Sequence, residues 1–153
     1  MLPTHRLSPK NQVTVPREAR ALLGKGEVAH LHGLPTAMPK AGSTELFPYV
    51  LLVTEDELKR REQAIIDAVD LAPEAKLALV SKLNGGAARM ALDGQHRIVL
   101  PKLLVNWLGI EDEVFFNLTN TTIQAWKPAS FLRWSGLDAG PVHHPDLTRF
   151  LAI

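Results

Sequence analysis

The sequence predicts an α+β protein in which two similar β-rich units are joined by a helical connector. A short pattern of residues occurs twice, 85 positions apart, and each copy combines strand-forming residues with a short helix. The residues between the copies have helical periodicity. Hydrophobic residues make up 46% of the 153-residue chain, which is enough for a buried core. The longest apolar runs fall far below the roughly 18 residues that a membrane helix needs.

The repeated pattern places a polar triplet before three strand-forming residues and a proline. The two copies are Lys10-Asn-Gln-Val-Thr-Val-Pro16 and Gln95-His-Arg-Ile-Val-Leu-Pro101. A glycine, Gly24 or Gly109, follows each proline after eight residues. Proline suits the first turn of a helix because no N–H donor is needed there, and glycine commonly ends helices. The pattern therefore predicts short helices over Arg17–Leu23 and Lys102–Leu108.

Each copy continues into two further strands and a helix. The strands are expected at 27–31 and 49–53 in the first copy, and at 113–118 and 122–126 in the second, with a hairpin turn at Asn120. Leu58 and Phe131, which correspond in the helices that follow, are 73 positions apart rather than 85. The first copy thus carries 12 extra residues. We assign them to a loop insertion at 33–47, because this segment is rich in proline, glycine and serine.

The connector is predicted to be two helices. Leu58, Ile65, Ile66 and Val69 recur at helical spacing and define one face of a helix over 55–69. Pro73 can begin a second helix that ends near Leu83. The predicted organisation is a first unit at 1–54, the connector at 55–86, a second unit at 87–134 and an irregular tail at 135–153.

Duplication has a physical consequence. A unit of about 45 residues is too small to bury its own core well, so two copies should pair about a pseudo-two-fold axis. The pairing can occur within one chain or between chains. In either case the two polar triplets should come near one another on one side of the protein.

Positive charge is concentrated at the N-terminus. The first 25 residues carry five Lys or Arg and one acid, whereas the whole chain has a net charge of +1. This asymmetry favours contact with an anion at one end of the protein, and a solvated basic surface is the alternative. The absence of cysteine excludes disulfide scaffolds, Cys-ligated zinc, iron–sulfur clusters and thiol catalysis. No apolar signal segment opens the sequence, so we expect a soluble, cytoplasmic protein.

The segment from Ser8 to Gly24 resembles the N-terminal DNA-binding segment of the SpoVT/AbrB swapped-hairpin superfamily. Asp93-Gly-Gln-His-Arg-Ile-Val-Leu-Pro101 resembles the Asp-x-x-x-Arg motif of the MraZ family, whose members carry two such units in tandem with a helical connector. Gln124-Ala-Trp-Lys-Pro128 also resembles the end of the second MraZ unit. The likeness covers roughly residues 5 to 134. It implies tandem swapped-hairpin β-barrel units, double-stranded DNA as partner, sequence-specific transcriptional regulation at the nucleoid, and a homo-oligomer such as a dimer or ring.

The resemblance assigns residues to the DNA interface. These are Arg6, Lys10, Gln12, Arg17, Arg20, Asp93 and Arg97. The first copy departs from the motif, since Ser8 stands at the Asp position and Gln12 at the Arg position. Asn11 and His96 replace the glycine of each triplet, which suggests a backbone with positive φ, and Asn and His are enriched among the non-glycine residues found there. The two turns are therefore expected to keep a positive-φ backbone despite the loss of glycine.

The chemistry of these side chains fits DNA. Lys and Arg neutralise phosphates, and the planar fork of Arg97 matches guanine O6 and N7. Asp93 is four residues earlier and could orient that guanidinium, although a simple surface salt bridge is the alternative reading. Gln12 could contact adenine or hydrogen-bond a phosphate.

The remaining features of the sequence do not indicate a catalytic site, a metal site or a cofactor site. His30 and His32 share one face of a predicted strand but have no third ligand at metal-like spacing, and His143-His144 are expected to be solvated. The aromatic residues of the second half are expected in packing rather than base stacking. Phe115 and Phe116 point to opposite faces of a strand, so one of them is expected to need cover from a partner chain. The rival functions are an antitoxin-like protein-interaction module and a small metal-dependent hydrolase.

Overall fold

The computed structural model describes residues 2–23, 30–119, 122–139 and 145–151. The predicted positions Gly24, Asn120 and His143-His144, with most of the strand predicted at 27–31, lie outside these ranges. The strands are β1 (His5–Arg6), β2 (Gln12–Thr14), β3 (His30–Pro39), β4 (Leu46–Val53), β5 (Ala88–Ala91), β6 (Arg97–Val99), β7 (Glu113–Leu118) and β8 (Ile123–Trp126). The α-helices are α1 (Glu55–Asp67), α2 (Pro73–Gly86), α3 (Lys102–Leu108), α4 (Pro128–Ser135) and α5 (Pro145–Leu151). Arg17–Leu23 and Leu137–Ala139 are 3-10 helices.

The two short helices after the repeated prolines have the predicted bounds. The first, Arg17–Leu23, is a 3-10 helix, and the second is α3. Gly109 follows α3 with a φ of 68°, the left-handed conformation in which glycine closes a helix.

The connector is helical as predicted, but several residues of its apolar face are exposed. Thr54 caps α1 by accepting a hydrogen bond from the Glu57 N–H at 3.2 Å, and Pro73 begins α2. Leu58 is buried, whereas Ile66 is 46% exposed and Val69 is fully exposed. The predicted helix over 55–69 is therefore too long, because α1 ends at Asp67, and of its apolar residues only Leu58 is buried.

Six strands form one antiparallel sheet that curls into a half-barrel, in the order β1-β7-β8-β4-β3-β5. Strands β2 and β6 form a separate antiparallel ribbon. Every strand before the connector pairs with a strand after it. These pairs are β1 with β7, β2 with β6, β3 with β5 and β4 with β8. The two halves of the chain therefore interlock within one molecule.

The segment 33–47 is a hairpin rather than the predicted loop. It comprises most of β3, a turn and the start of β4, which pair from His32↔Val53 to Pro39↔Leu46. Strand β5 pairs with β3 only as far as Gly33, so Pro35 and Pro39 lie where no described strand pairs with this edge of β3. Proline is tolerated at such an edge because no N–H is required there. The proline-rich composition thus marks a strand edge without a described partner here.

The main core lies between the sheet and the layer formed by the ribbon and the two short helices. Its fully buried residues include Leu31 and Val114 from the sheet, Ile98 from the ribbon and Leu104 from α3. Gly33 allows α3 to approach, because a Cβ at this position would lie 2.7 Å from Leu104 Cδ1. The ribbon is therefore held on the body of the protein by its inward-facing side chains.

Helices α1 and α4 cover the other face of the sheet. Phe115 packs in an aromatic cluster with Phe131 and Trp126 beneath α4, while Phe116 packs in the main core. Both phenylalanines are buried within one chain, so the argument from their orientation for an oligomer interface is wrong. The packing predicted for the aromatic residues holds for these side chains and for Trp134, whereas Trp107 is 42% exposed.

The tail after α4 is not wholly irregular, because α5 occupies Pro145–Leu151. Among the described residues, none of the helices has both the length and the apolar character needed to cross a membrane.

Candidate nucleic-acid interface

The β2–β6 ribbon has one buried face and one outward face. Val13 and Ile98 are cross-strand partners and are buried, at 3% and 1% exposure. Because side chains alternate along a strand, their neighbours point to the opposite face. Two cross-strand pairs therefore form the outer surface, and we call it the ribbon face: Gln12 opposite Val99 and Thr14 opposite Arg97.

A turn held by Ser8 precedes β2. The Ser8 hydroxyl accepts hydrogen bonds from the main-chain N–H of Lys10 at 3.2 Å and of Gln12 at 3.0 Å. The Asn11 N–H donates to the Ser8 carbonyl at 2.9 Å, and Asn11 has a φ of 61°. This geometry confirms the positive φ predicted from the replaced glycine, and it directs the exposed Lys10 side chain to the turn's surface.

The turn before β6 repeats this arrangement with a carboxylate. Asp93 Oδ1 accepts from the main-chain N–H of Gln95 at 2.9 Å and of Arg97 at 2.8 Å. The His96 N–H donates to the Asp93 carbonyl at 3.0 Å, and His96 has a φ of 60°. Asp93 thus occupies the position of Ser8, and His96 the position of Asn11.

Asp93 also holds the Arg97 side chain. Arg97 Nε donates to Asp93 Oδ2 at 2.8 Å, with the two side chains 40% and 37% exposed. The pKa of Asp93 is lowered chiefly by the Arg97 main-chain N–H, with further contributions from the Arg97 side chain and the Gln95 N–H. The carboxylate therefore stays charged at neutral pH and holds the guanidinium group at its Nε atom. Within the described residues, the two Nη atoms make no hydrogen bond, so the end of the fork is available to a ligand.

The two turns lie at opposite ends of the ribbon. The ladder continues beyond the strands through hydrogen bonds from Val15 N to His96 O at 2.8 Å and from Leu100 N to Asn11 O at 2.9 Å. The two polar triplets therefore lie on the same ribbon but at its opposite ends, rather than next to one another as predicted. In the single chain described, the β2–β6 pairing is made within one molecule.

The remaining candidate cations differ in their surroundings. Lys10, Arg17 and Arg20 are exposed, and none of them forms an ion pair with any residue that the structure describes. Arg6 is on β1, away from the ribbon ladder, and its guanidinium lies 3.5 Å from the Asp112 carboxylate. Its cross-strand partner is Glu113. The acidic neighbours make Arg6 the candidate least suited to a phosphate.

Three residues near the site were missed by the sequence analysis. Thr14 and Val99 complete the ribbon face, and Lys102 begins α3 as Arg17 begins its helix, 85 positions earlier. Both Lys102 and Arg17 are exposed. The repeat was an available signal for Lys102, because Arg17 stands 85 positions earlier. For Thr14 and Val99 the signal was the alternation of side chains along the two strands.

The histidines of β3 lie elsewhere on the sheet. His30 Nδ1 is 3.2 Å from an Arg89 guanidinium nitrogen, and His32 Nε2 is buried without a hydrogen-bond partner among the described residues. In the part of the chain that the structure describes, no three acidic, His or Cys residues are grouped as a metal site would require.

Comparison with known proteins gives a consistent set of relatives. The chain matches no family model. It is 28% identical over 130 residues to a transcriptional regulator MraZ of Rhizobium johnstonii, covering 84% of this chain and 83% of the relative. It is 26% identical to transcriptional regulators MraZ of Rickettsia typhi, over 91% of this chain and 87% of the relative, and of Rickettsia bellii, over 94% and 90%. This coverage confirms the resemblance predicted from the sequence.

Proposed function

We propose that this MraZ-like chain is a non-enzymatic regulator of transcription that binds double-stranded DNA through the ribbon face and the two flanking turns. The observation that carries the proposal is the ribbon face with its prearranged Arg97, next to exposed cations that form no ion pair with any described residue. The relatives named as transcriptional regulators support the same function. DNA as partner also implies a cytoplasmic protein associated with the nucleoid.

A two-stranded ribbon has dimensions that suit DNA. The major groove of B-form DNA admits a two-stranded β-ribbon, and the pattern of donors and acceptors there differs for every base pair. In our proposal Arg97 and Gln12 contact base edges, while Asp93 positions Arg97. Lys10, Arg17 and Arg20 contact phosphates on either side of the groove, and these contacts supply affinity that depends on salt. Arg6 has at most a peripheral role because of its acidic neighbours.

We further propose that the fold is a tandem duplication of swapped-hairpin units. Three observations support this. Val13 and Ile98, which are 85 positions apart, are direct cross-strand partners. Leu51 and Gln124, which are 73 positions apart as expected for the later elements, are also partners. Finally, the strand order of the sheet is unchanged when the strands of the two halves are exchanged.

A homo-oligomer remains part of the proposal on grounds other than the phenylalanines. Helix α2 has no buried residue, and its Leu77 is 70% exposed. Helix α5 adds Phe150, at 59% exposure. Apolar side chains of this size at the surface favour contacts between subunits. Linked DNA-binding units would then act together with avidity on tandem sites. Light scattering of the protein and of Leu77→Lys would test this, since dissociation of the variant is expected and a monomeric parent protein would contradict it.

The experiment for DNA binding is a fluorescence anisotropy titration of the full chain. Labelled duplex from the DNA upstream of its own gene is compared with a scrambled duplex of equal length, over a salt series. Tighter binding to the native duplex, with affinity that falls steeply with salt, is expected for a specific regulator. Equal weak binding to both would leave a general DNA binder, and no binding at low salt would contradict the proposal.

A further inference from the structure

Val99 is an apolar side chain on an otherwise polar ribbon face. It is 50% exposed, although the neighbouring Ile98 is 1% exposed and Leu100 is 1% exposed. Its cross-strand partner is Gln12, and the remaining members of the ribbon face are Thr14 and Arg97. Because the inward positions already supply the ribbon's contribution to the core, packing within the chain does not account for a valine at this position.

The two cross-strand pairs of the ribbon face have the same general composition. Each combines one side chain with a planar polar end and one β-branched side chain, so that Gln12 faces Val99 and Arg97 faces Thr14. The two pairs are two residues apart along each strand, a separation of about 6.8 Å. Base pairs in DNA are stacked about 3.4 Å apart. Each cross-strand pair therefore faces a different base pair.

The Gln12–Val99 pair is complementary to an A·T base pair. In the major groove, adenine offers N7 as an acceptor and N6 as a donor, which a glutamine amide can match with two hydrogen bonds. Thymine carries its 5-methyl group on the same edge, and an apolar side chain is the usual contact for it. Gln12 makes no side-chain hydrogen bond with any described residue, so its amide is available for this contact.

We propose that the Gln12–Val99 pair reads one A·T base pair, with Gln12 on adenine and Val99 against the thymine 5-methyl group. The inference rests on the proposed DNA binding and adds a position at which the sequence is read. The surroundings favour DNA over a second protein chain as the occupant. Val99 has no apolar neighbour on the ribbon face. The cations Lys10, Arg97 and Lys102 each lie within three residues of Gln12 or Val99 in the sequence.

The test replaces thymine by uracil, one position at a time, in a duplex that the full-length protein binds. This substitution removes only the methyl group and leaves base pairing unchanged. Binding is expected to weaken about fourfold at one thymine, as for the loss of one buried methyl contact. For Val99→Ala the same uracil substitution should have no further effect. Val69→Ala is the matched control, since Val69 is fully exposed on the connector, and it should keep the parent's sensitivity to uracil.

The Gln12→Ala variant tests the other half of the pair. It should lose the preference for A·T over G·C at the position where uracil had its effect, while Val69→Ala retains that preference. Thermal unfolding of each variant checks that it is folded.

The outcomes separate this inference from the proposed function. If the protein binds DNA and Arg97→Ala weakens binding, but no uracil position matters, the inference is overturned and the proposed function stands. Equal uracil sensitivity in Val99→Ala and the parent also overturns it. A change of oligomeric state in Val99→Ala without an effect of uracil would assign the valine to a protein contact. Absence of DNA binding by the parent protein overturns both.

Discussion

Asn11 and His96 adopt the same left-handed backbone conformation, with φ of 61° and 60°, at the two ends of one ribbon. Each accepts, through its carbonyl, a hydrogen bond from the residue that follows the partner strand. Both conformations are ones that glycine adopts without a steric penalty. The two turns have therefore kept a glycine-type geometry with non-glycine residues, at a cost in strain.

The strain at His96 is testable by substitution. His96→Gly should raise the free energy of unfolding by up to about 1 kcal/mol, whereas His96→Val should lower it by about 1–2 kcal/mol, because a β-branched residue is poorly accommodated at positive φ. Chemical denaturation monitored by circular dichroism gives both values. Gln95→Gly is the control, since the residue does not have a positive φ, and it should lower stability. Stabilisation by both glycine variants would refute strain at His96.

The Arg97 guanidinium should dominate discrimination between base pairs. Arg97→Ala is expected to weaken binding to the preferred duplex by about 10- to 100-fold, the usual range for one bidentate contact to guanine. Arg97→Lys should recover little, because the ammonium lacks the planar fork. Anisotropy titrations at fixed salt measure both variants. Arg60→Ala on α1 removes the same charge from a residue paired with Glu57, and it should leave binding nearly unchanged. Equal losses in Arg97→Ala and Arg60→Ala would mean that only net charge matters.

Asp93 should titrate below its ordinary pKa of 3.8. A carboxyl whose pKa is lowered on folding contributes stability above its unfolded pKa, and this contribution is lost as pH falls through the folded pKa. DNA binding should therefore not depend on Asp93 titration between about pH 5 and pH 8. Carbon NMR of the side-chain carboxyl measures the pKa. In Arg97→Ala it should rise but remain below the ordinary value, because the main-chain N–H groups of residues 95 and 97 still donate. A pKa at or above 3.8 in the parent protein would refute this account of the turn.

Two glycines should respond to alanine in opposite directions. Gly33→Ala is expected to lower the free energy of unfolding by about 1–3 kcal/mol, because its Cβ would crowd the buried Leu104 and Met90 side chains. Gly85 lies inside α2 with open space around it, so Gly85→Ala should raise stability by up to about 1 kcal/mol. Denaturant unfolding of the two variants provides the comparison. Stabilisation by Gly33→Ala would contradict the close approach of α3 to the sheet.

Local signals in the sequence predicted the two short helices and the backbone of the two turns well. The proline-to-glycine spacing gave the bounds of both short helices, and the replaced glycines indicated positive φ at Asn11 and His96. These features depend on residues close together in the chain, where steric rules operate directly. The roles proposed for the side chains remain predictions.

Features that depend on distant contacts were predicted less well. Segment 33–47 contains proline and glycine typical of a loop, yet it forms a hairpin in which β3 pairs with β4. Its prolines are tolerated because β5 pairs with β3 only as far as Gly33. Phe115 is buried by α4 of the same chain. The alternating pattern of a strand alone could not indicate which element buries it. Val69 has helical spacing from Leu58 but lies beyond the end of α1. In each case tertiary packing decided between local alternatives.

The interlocking of the two halves has a consequence for synthesis on the ribosome. Strand β1 is completed by β7, β2 by β6 and β4 by β8, so each of these early strands waits for a partner that is made much later. A nascent chain that has emerged only through α2 carries strand edges without hydrogen-bond partners, and such edges favour aggregation. We therefore expect these pairings to form only after β8 has been synthesised, and we expect a chain that stops at α2 to be a substrate for proteolysis.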